Sequence, residues 1–124
     1  QRGLYITVSG SGCIITDREM ILKICDNLLS NAVQYTPEGE KIYLEIDRDC
    51  LVITNYGVTI EESLLPGIFE PFVSSVENQK GKGLGLYVAA YYSRVLGYQL
   101  QVYNEKDRVC ARLSWEKKGG RELC

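Results

Sequence analysis

Asp26-Asn27-Leu28-Leu29-Ser30-Asn31-Ala32-Val33-Gln34-Tyr35-Thr36-Pro37 is the stretch on which the fold turns. Apolar residues at Ile21, Ile24, Cys25, Leu28, Leu29 and Ala32 recur at helical spacing, which predicts a helix over Asp17–Tyr35. Upstream, Thr16-Asp17-Arg18-Glu19 reads as a capping box, with the Thr16 hydroxyl accepting from the third helical amide and Glu19 reaching back. Pro37 disfavours helical geometry at the residue before it, so the helix stops within Thr36-Pro37-Glu38-Gly39. Asn27 and Asn31, four residues apart, share one face beside the apolar stripe, although asparagine is a weak helix former. An amide oxygen there suits magnesium, which takes one or two protein oxygens and completes its shell with phosphates and water. The alternative is a solvated helix edge or a buried amide network.

Outward from this helix the chain reads as strands. Leu4–Val8 is a β-branched strand, followed by the Ser9-Gly10-Ser11-Gly12 turn. Lys41–Ile46 alternates polar and apolar, and Cys50–Thr54 returns after Asp47-Arg48-Asp49, which predicts a hairpin. Asn55–Thr59 reads as a loop and Ile60–Leu65 as a short helix ended by Pro66-Gly67. Val73–Lys82 is polar and expected to be mobile. A second long helix starts near Leu84, turns Leu86, Val88, Ala89, Tyr92, Val95 and Leu96 inward, and stops at Gly97. Tyr98–Asn104 and Val109–Trp115 form a last hairpin around Glu105-Lys106-Asp107-Arg108. One sheet with about three helices predicts an α/β two-layer sandwich with a mixed, mostly antiparallel sheet. The domain is expected over residues 1–116, with 117–124 a flexible, charged and glycine-rich tail.

Composition narrows the function. At 124 residues there is room for one domain, burying about 65% of its unfolded surface. Fourteen basic and sixteen acidic residues leave a net charge of -2, which argues against a nucleic-acid partner. No apolar run reaches the ~18 residues of a membrane span, and no signal peptide is visible. Histidine is absent, which removes Ser-His and Cys-His catalysis and histidine metal sites. The five scattered cysteines form no C-x-x-C pair and fit reduced thiols, with Cys25 and Cys50 expected as small core residues. The abrupt start at Gln1 suggests a domain cut from a longer protein.

Gly81-Lys82-Gly83-Leu84-Gly85-Leu86 runs straight into the second helix. Its glycines allow backbone amides close to an anion, the helix start adds free N–H groups, and Lys82 adds charge. The plain alternative is a flexible loop with a packing glycine. It is neither a Walker A loop nor a Rossmann fingerprint. Asn55 and Gly57 follow a buried-looking strand and could read a flat base edge, or form an ordinary turn. Tyr35 could stack on a base or pack in the core. Lys80 could meet a phosphate or stand in solvent.

Together these segments resemble the nucleotide-binding catalytic domain of sensor histidine kinases, within the wider ATP-binding family of DNA gyrase, heat-shock chaperones and mismatch-repair ATPases. Four blocks occur in the family's order. Asp26–Pro37 resembles the N box and Thr54-Asn55-Tyr56-Gly57-Val58-Thr59-Ile60 the first glycine box. Ile68-Phe69-Glu70-Pro71-Phe72 resembles the F box and Gly81–Leu86 the second glycine box. The resemblance implies a Bergerat-type ATP-binding fold, with ATP and Mg2+ as cofactors. It implies that Asn31 holds the metal and Asn27 contacts phosphates or the metal's water, these two being the catalytic pair. It implies that Tyr35 lies against adenine and Asn55, with Gly57 beside it, meets the adenine amine. Lys80, Gly81, Lys82, Gly83, Leu84 and Gly85 would wrap the triphosphate, and Phe69 and Phe72 would anchor the lid. The implied activity is transfer of the γ-phosphoryl group to a histidine on a separate helical dimerisation domain. The implied partners are that domain and a response regulator. The implied location is the cytoplasmic part of a membrane-anchored sensor, with no membrane contact by this domain.

The chain departs from the family pattern at three points. Asn55 stands where the family has aspartate, Thr59 where it has a second glycine, and Gln34 where the N box carries lysine or arginine. Losing the charge at Asn55 weakens the adenine bond by about 1 kcal/mol, near tenfold in affinity. Thr59 is expected to crowd the pocket floor. Asn27 also occupies the place of the glutamate that activates water in the hydrolysing members, which favours phosphoryl transfer over hydrolysis. The alternatives are a degenerate nucleotide-binding or partner-docking module without productive catalysis, and a serine kinase of the anti-sigma-factor type.

Overall fold

The computed structural model describes residues 5–12, 16–70 and 84–115. In chain order these form β1 (Tyr5–Gly10), α1 (Arg18–Tyr35), β2 (Lys41–Ile46) and β3 (Cys50–Tyr56), then a 3-10 helix (Glu62–Gly67). They continue as α2 (Leu84–Leu96), β4 (Gln99–Glu105) and β5 (Arg108–Ser114). The five strands make one sheet in the order β1-β2-β3-β5-β4. Only the β1–β2 pair is parallel, and α1 supplies the crossover that parallel neighbours require. The other pairs are antiparallel, so the sheet is mixed and mostly antiparallel, as expected.

Side chains alternate across each strand, so residues two apart share a face. The inward face is identified by Ile42 on β2, Ile53 on β3 and Leu113 on β5, all in one core with Ile24, Leu28 and Ala32 of α1 and Leu86 and Ala89 of α2. The helices therefore form one layer over one side of the sheet, packed along each other and against β3 and β4. Ile24, Ile42 and Leu113 are fully buried, each contributing about 2–3 kcal/mol of hydrophobic stabilisation. Cys50 is buried, whereas Cys25 is only half-buried.

Both long helices end as their residues dictate, but α1 begins differently. Asp17, not Thr16, is the N-cap, its Oδ1 accepting from Met20 N–H at 3.0 Å. The Thr16 hydroxyl instead accepts from the Tyr98 phenol at 2.6 Å, tying the entry of α1 to the approach to β4. An aspartate adjacent to a threonine competes for the same amides, and the tertiary partner at Tyr98 decides between them. At the C-terminus Thr36 is extended and fully buried, and both its N–H (3.0 Å) and its hydroxyl (2.6 Å) donate to Ala32 O. In α2, Gly97 at φ +81° allows Tyr98 N–H to reach Ser93 O at 2.8 Å and Gly97 N–H to reach Arg94 O at 3.0 Å, a Schellman ending.

Smaller differences have clear causes. Pro66 lies inside the 3-10 helix rather than ending it, with the turns on either side closed by Leu64 N–H to Glu61 O at 2.9 Å and Ile68 N–H to Leu65 O at 3.1 Å. Val95, expected inward, is exposed, while Ser93 is buried with its hydroxyl donating to Ala89 O at 2.7 Å. A small hydroxyl bonded within its own helix can occupy a core position that hydropathy alone assigns outward. The expected mobile stretch 73–82 lies wholly outside the described residues, as does the tail beyond Trp115.

Candidate functional site

The site is built on the flank of α1 and the end of β3. At 100° per residue, Asn27, Asn31 and Tyr35 fall to one side of the buried Ile24-Leu28-Ala32 stripe. All three are half-buried, between core and solvent. Asn27 Nδ2 donates to Lys23 O at 2.7 Å. That bond uses one N–H of the amide and orients the side chain, whose Oδ1 is the atom that accepts a hydrogen bond or faces a cation. Burial pushes the Tyr35 phenol above its ordinary value of 10.0, so near neutrality the ring is uncharged and offers an apolar surface.

β3 runs two residues beyond the expected Thr54, so Asn55 belongs to the sheet rather than to a loop. It pairs with Ile42 on one side and Val109 on the other, and is only 7% exposed. Alternation from Ile53 places it on the helix-facing side, the side against which α1 packs. Asn27, Asn31 and Tyr35 thus lie on one flank of α1, and Asn55 lies on the sheet face over which α1 packs.

Gly57 ends the strand at φ +83°, in the left-handed region glycine favours, and its N–H donates to Asp107 O at 3.0 Å. A Cβ at this position would lie 2.6 Å from Glu40 Cγ. Thr59, expected to crowd the pocket floor, is exposed. Phe69 packs against the core next to buried Ile68. Phe72, Lys80, Gly81, Lys82 and Gly83 lie outside the described residues. Leu84 and Gly85 are the first two residues of α2, so the glycine-rich segment leads into a helix start as expected.

Among the described residues no three acidic or cysteine side chains gather as a cation site, and histidine is absent from the chain. A hard cation held by one amide oxygen of Asn31 and completed by phosphate oxygens and water is compatible with this arrangement. Along α1 the acidic residues Glu19 and Asp26 are exposed, and the half-buried flank carries amides. A buried general base for water activation is therefore absent from the described part of this helix.

Sequence reasoning missed Asn104. Its Oδ1 accepts from Ile60 N–H at 2.9 Å and its Nδ2 donates to Ile60 O at 2.8 Å. The signal was present: in Leu100-Gln101-Val102-Tyr103-Asn104 the inward positions run Leu, Val, Asn, and a polar side chain facing a core needs partners.

Comparison with known proteins supports the fold and shows the family. The probable sensor kinase SilS of Salmonella typhimurium is 35% identical over 111 residues, covering 84% of this chain and 22% of SilS. The chain therefore spans well under a third of that relative's length. Among solved structures, the mycobacterial sensor histidine kinase MprB superposes with a TM-score of 0.70 at 24% identity, covering 90% of this chain and 78% of that one. The catalytic domain of the histidine kinase ThkA superposes with a TM-score of 0.72 at 22% identity, covering 90% and 76%. These two share the fold. Residues 16–120 match the family model described as histidine kinase-, DNA gyrase B-, and HSP90-like ATPase. The chain belongs to the histidine kinase-, DNA gyrase B- and HSP90-like ATPase family.

Proposed function

We propose that this domain binds ATP with Mg2+ and transfers the γ-phosphoryl group to a histidine on a separate helical dimerisation domain, a response regulator being the next acceptor. The observation that carries this reading is the half-buried flank of Asn27, Asn31 and Tyr35 on α1, the helix that packs over the sheet face bearing buried Asn55, in a chain of an ATP-using family.

In this reading Asn55 accepts from the adenine amine, Tyr35 lies along the base, and Gly57 lets the chain turn beside it. Asn31 holds the metal and Asn27 reaches the phosphates or the metal's water. The backbone of Gly81, Gly83, Leu84 and Gly85 and the charges of Lys80 and Lys82 receive the triphosphate at the start of α2, where free N–H groups favour anions. Magnesium, when bound, neutralises charge on the transferred group. In the transfer, the bond from the γ-phosphorus to the bridging oxygen breaks, a bond to the acceptor imidazole nitrogen forms, and ADP leaves. The protein contributes positioning and electrostatic stabilisation rather than a base. The exposure of Asp26 and the carboxamide at Asn27, which cannot act as a base, support transfer over hydrolysis.

The acceptor must come from elsewhere, since the chain has no histidine. The domain by itself therefore binds nucleotide without phosphorylating itself on histidine. As part of a sensor it would work in the cytoplasm. Among the described residues no helix is long and apolar enough to cross a membrane.

Calorimetric titration with ADP and a non-hydrolysable ATP analogue, with and without Mg2+, tests the proposal. Saturable heat that strengthens with Mg2+ is expected. No heat at millimolar nucleotide overturns it and favours a partner-docking role.

A further inference from the structure

We infer that Asn104 is a positioning residue for base binding, clamping the segment that follows Asn55 against the sheet. The inference rests on the nucleotide reading above.

The register places Asn104, Val109, Asn55 and Ile42 in one row across β4, β5, β3 and β2. Asn104 continues the inward series of Leu100 and Val102 at the edge strand. Its carboxamide satisfies both the N–H (2.9 Å) and the C=O (2.8 Å) of Ile60. An antiparallel neighbour exchanges the same two bonds with a facing residue. The side chain thus acts as a one-residue extension of the sheet for a segment that has no strand of its own.

The segment is held at its other end by Gly57 N–H on Asp107 O at 3.0 Å, in the β4–β5 turn. Between these two ties, residues 57–60 lead from the end of β3 to Asn104 on β4, on the far side of β5. Ile60 itself packs against the core. Asn104 stands two strand spacings from Asn55, about 10 Å, too far for both to bond one base edge. Its action on a nucleotide therefore passes through the backbone beside Asn55. Releasing the clamp frees two partly buried backbone groups and lets that edge of the pocket move.

The test compares ADP affinity by calorimetry in wild type, Asn104→Ala and Asn104→Asp, with amide hydrogen exchange at Ile60. The alanine variant is expected to lose about five- to tenfold in affinity, as for one or two weakened hydrogen bonds, with its Mg2+ dependence retained. Ile60 exchange should accelerate. The aspartate variant keeps the shape and can still accept from Ile60 N–H, but sets a carboxylate against Ile60 O. It should lose at least as much affinity, and it carries the test if the alanine variant does not fold. A folded variant of either kind binding ADP within twofold of wild type overturns the role of Asn104. A wild-type domain that binds no nucleotide overturns the nucleotide reading and this inference with it.

Discussion

Replacing Asn55 by aspartate separates nucleotide recognition from folding, because the two respond in opposite directions. Asn55 is 7% exposed, in a row between Ile42 and Val109. A carboxylate there gives up hydration in an apolar row, and the cost of a buried polar group with incomplete partners is about 1–3 kcal/mol, more for a charge. For a chain of this size that lowers the melting temperature by about 4 °C per kcal/mol. Burial also raises the new carboxyl's pKa above its unfolded value of about 3.9. Below that value the protonated group carries no penalty, and as pH rises through the raised folded pKa the destabilisation develops fully. Adenine reverses part of the effect. A charged acceptor binds the exocyclic amine about twice as strongly as a neutral amide, a gain of about 1 kcal/mol or five- to tenfold in affinity. The expected outcome of Asn55→Asp at pH 7.5 is thus a lower melting temperature without ligand and a smaller dissociation constant for ADP. Differential scanning fluorimetry and calorimetric titration measure the two. A folded variant that binds ADP no better than wild type refutes the base-reading role of Asn55.

Asn31→Ala should abolish the Mg2+ dependence of nucleotide binding while leaving the fold intact, since the side chain is only half-buried; unchanged affinity and unchanged metal response would show that Asn31 does not hold the metal. Thr36→Val keeps the buried shape but removes the hydroxyl bond to Ala32 O, which retains the Thr36 N–H. A loss of about 1 kcal/mol is expected by urea denaturation, and no loss would mean that the hydroxyl contributes nothing to ending α1. Burial, with the nearby Glu105 carboxylate adding to it against the opposing Thr54 and Tyr103 hydrogen bonds, pushes the Cys110 thiol above its ordinary value of 9.0. Its contribution to stability is present below that value and is lost as pH rises through the folded pKa, so melting temperature should fall in alkali. Cys110→Ala should flatten part of that fall, the remainder including Cys25, which burial and then Asp26 also raise; an identical pH slope in the variant would rule Cys110 out.

Much of this architecture follows from local pattern. The α1 stripe has the helical period, Pro37 stops it, and Gly97 at φ +81° closes α2, because each depends on neighbours within a turn. The β2–β3 and β4–β5 hairpins follow for the same reason, since short connections leave antiparallel pairing as the only option. The half-buried amides of α1 were legible as well, because their spacing is fixed by the helix on which they lie.

Other features depend on groups far apart in the chain. Amino-acid order alone determined where the two long helices and the β2–β3 and β4–β5 hairpins lie, that Asn27 and Asn31 share a face, and that any acceptor histidine must come from outside the chain. Only the tertiary structure decided that Asp17 caps α1 while Thr16 accepts from Tyr98, 82 positions away, and that Asn55 is a buried member of the sheet. It also decided that Asn104 clasps Ile60 across 44 residues. The physical reason is one of range. Backbone propensity and side-chain periodicity act over a few residues, whereas the partner of a buried polar group is chosen by whatever the fold brings within about 3 Å of it.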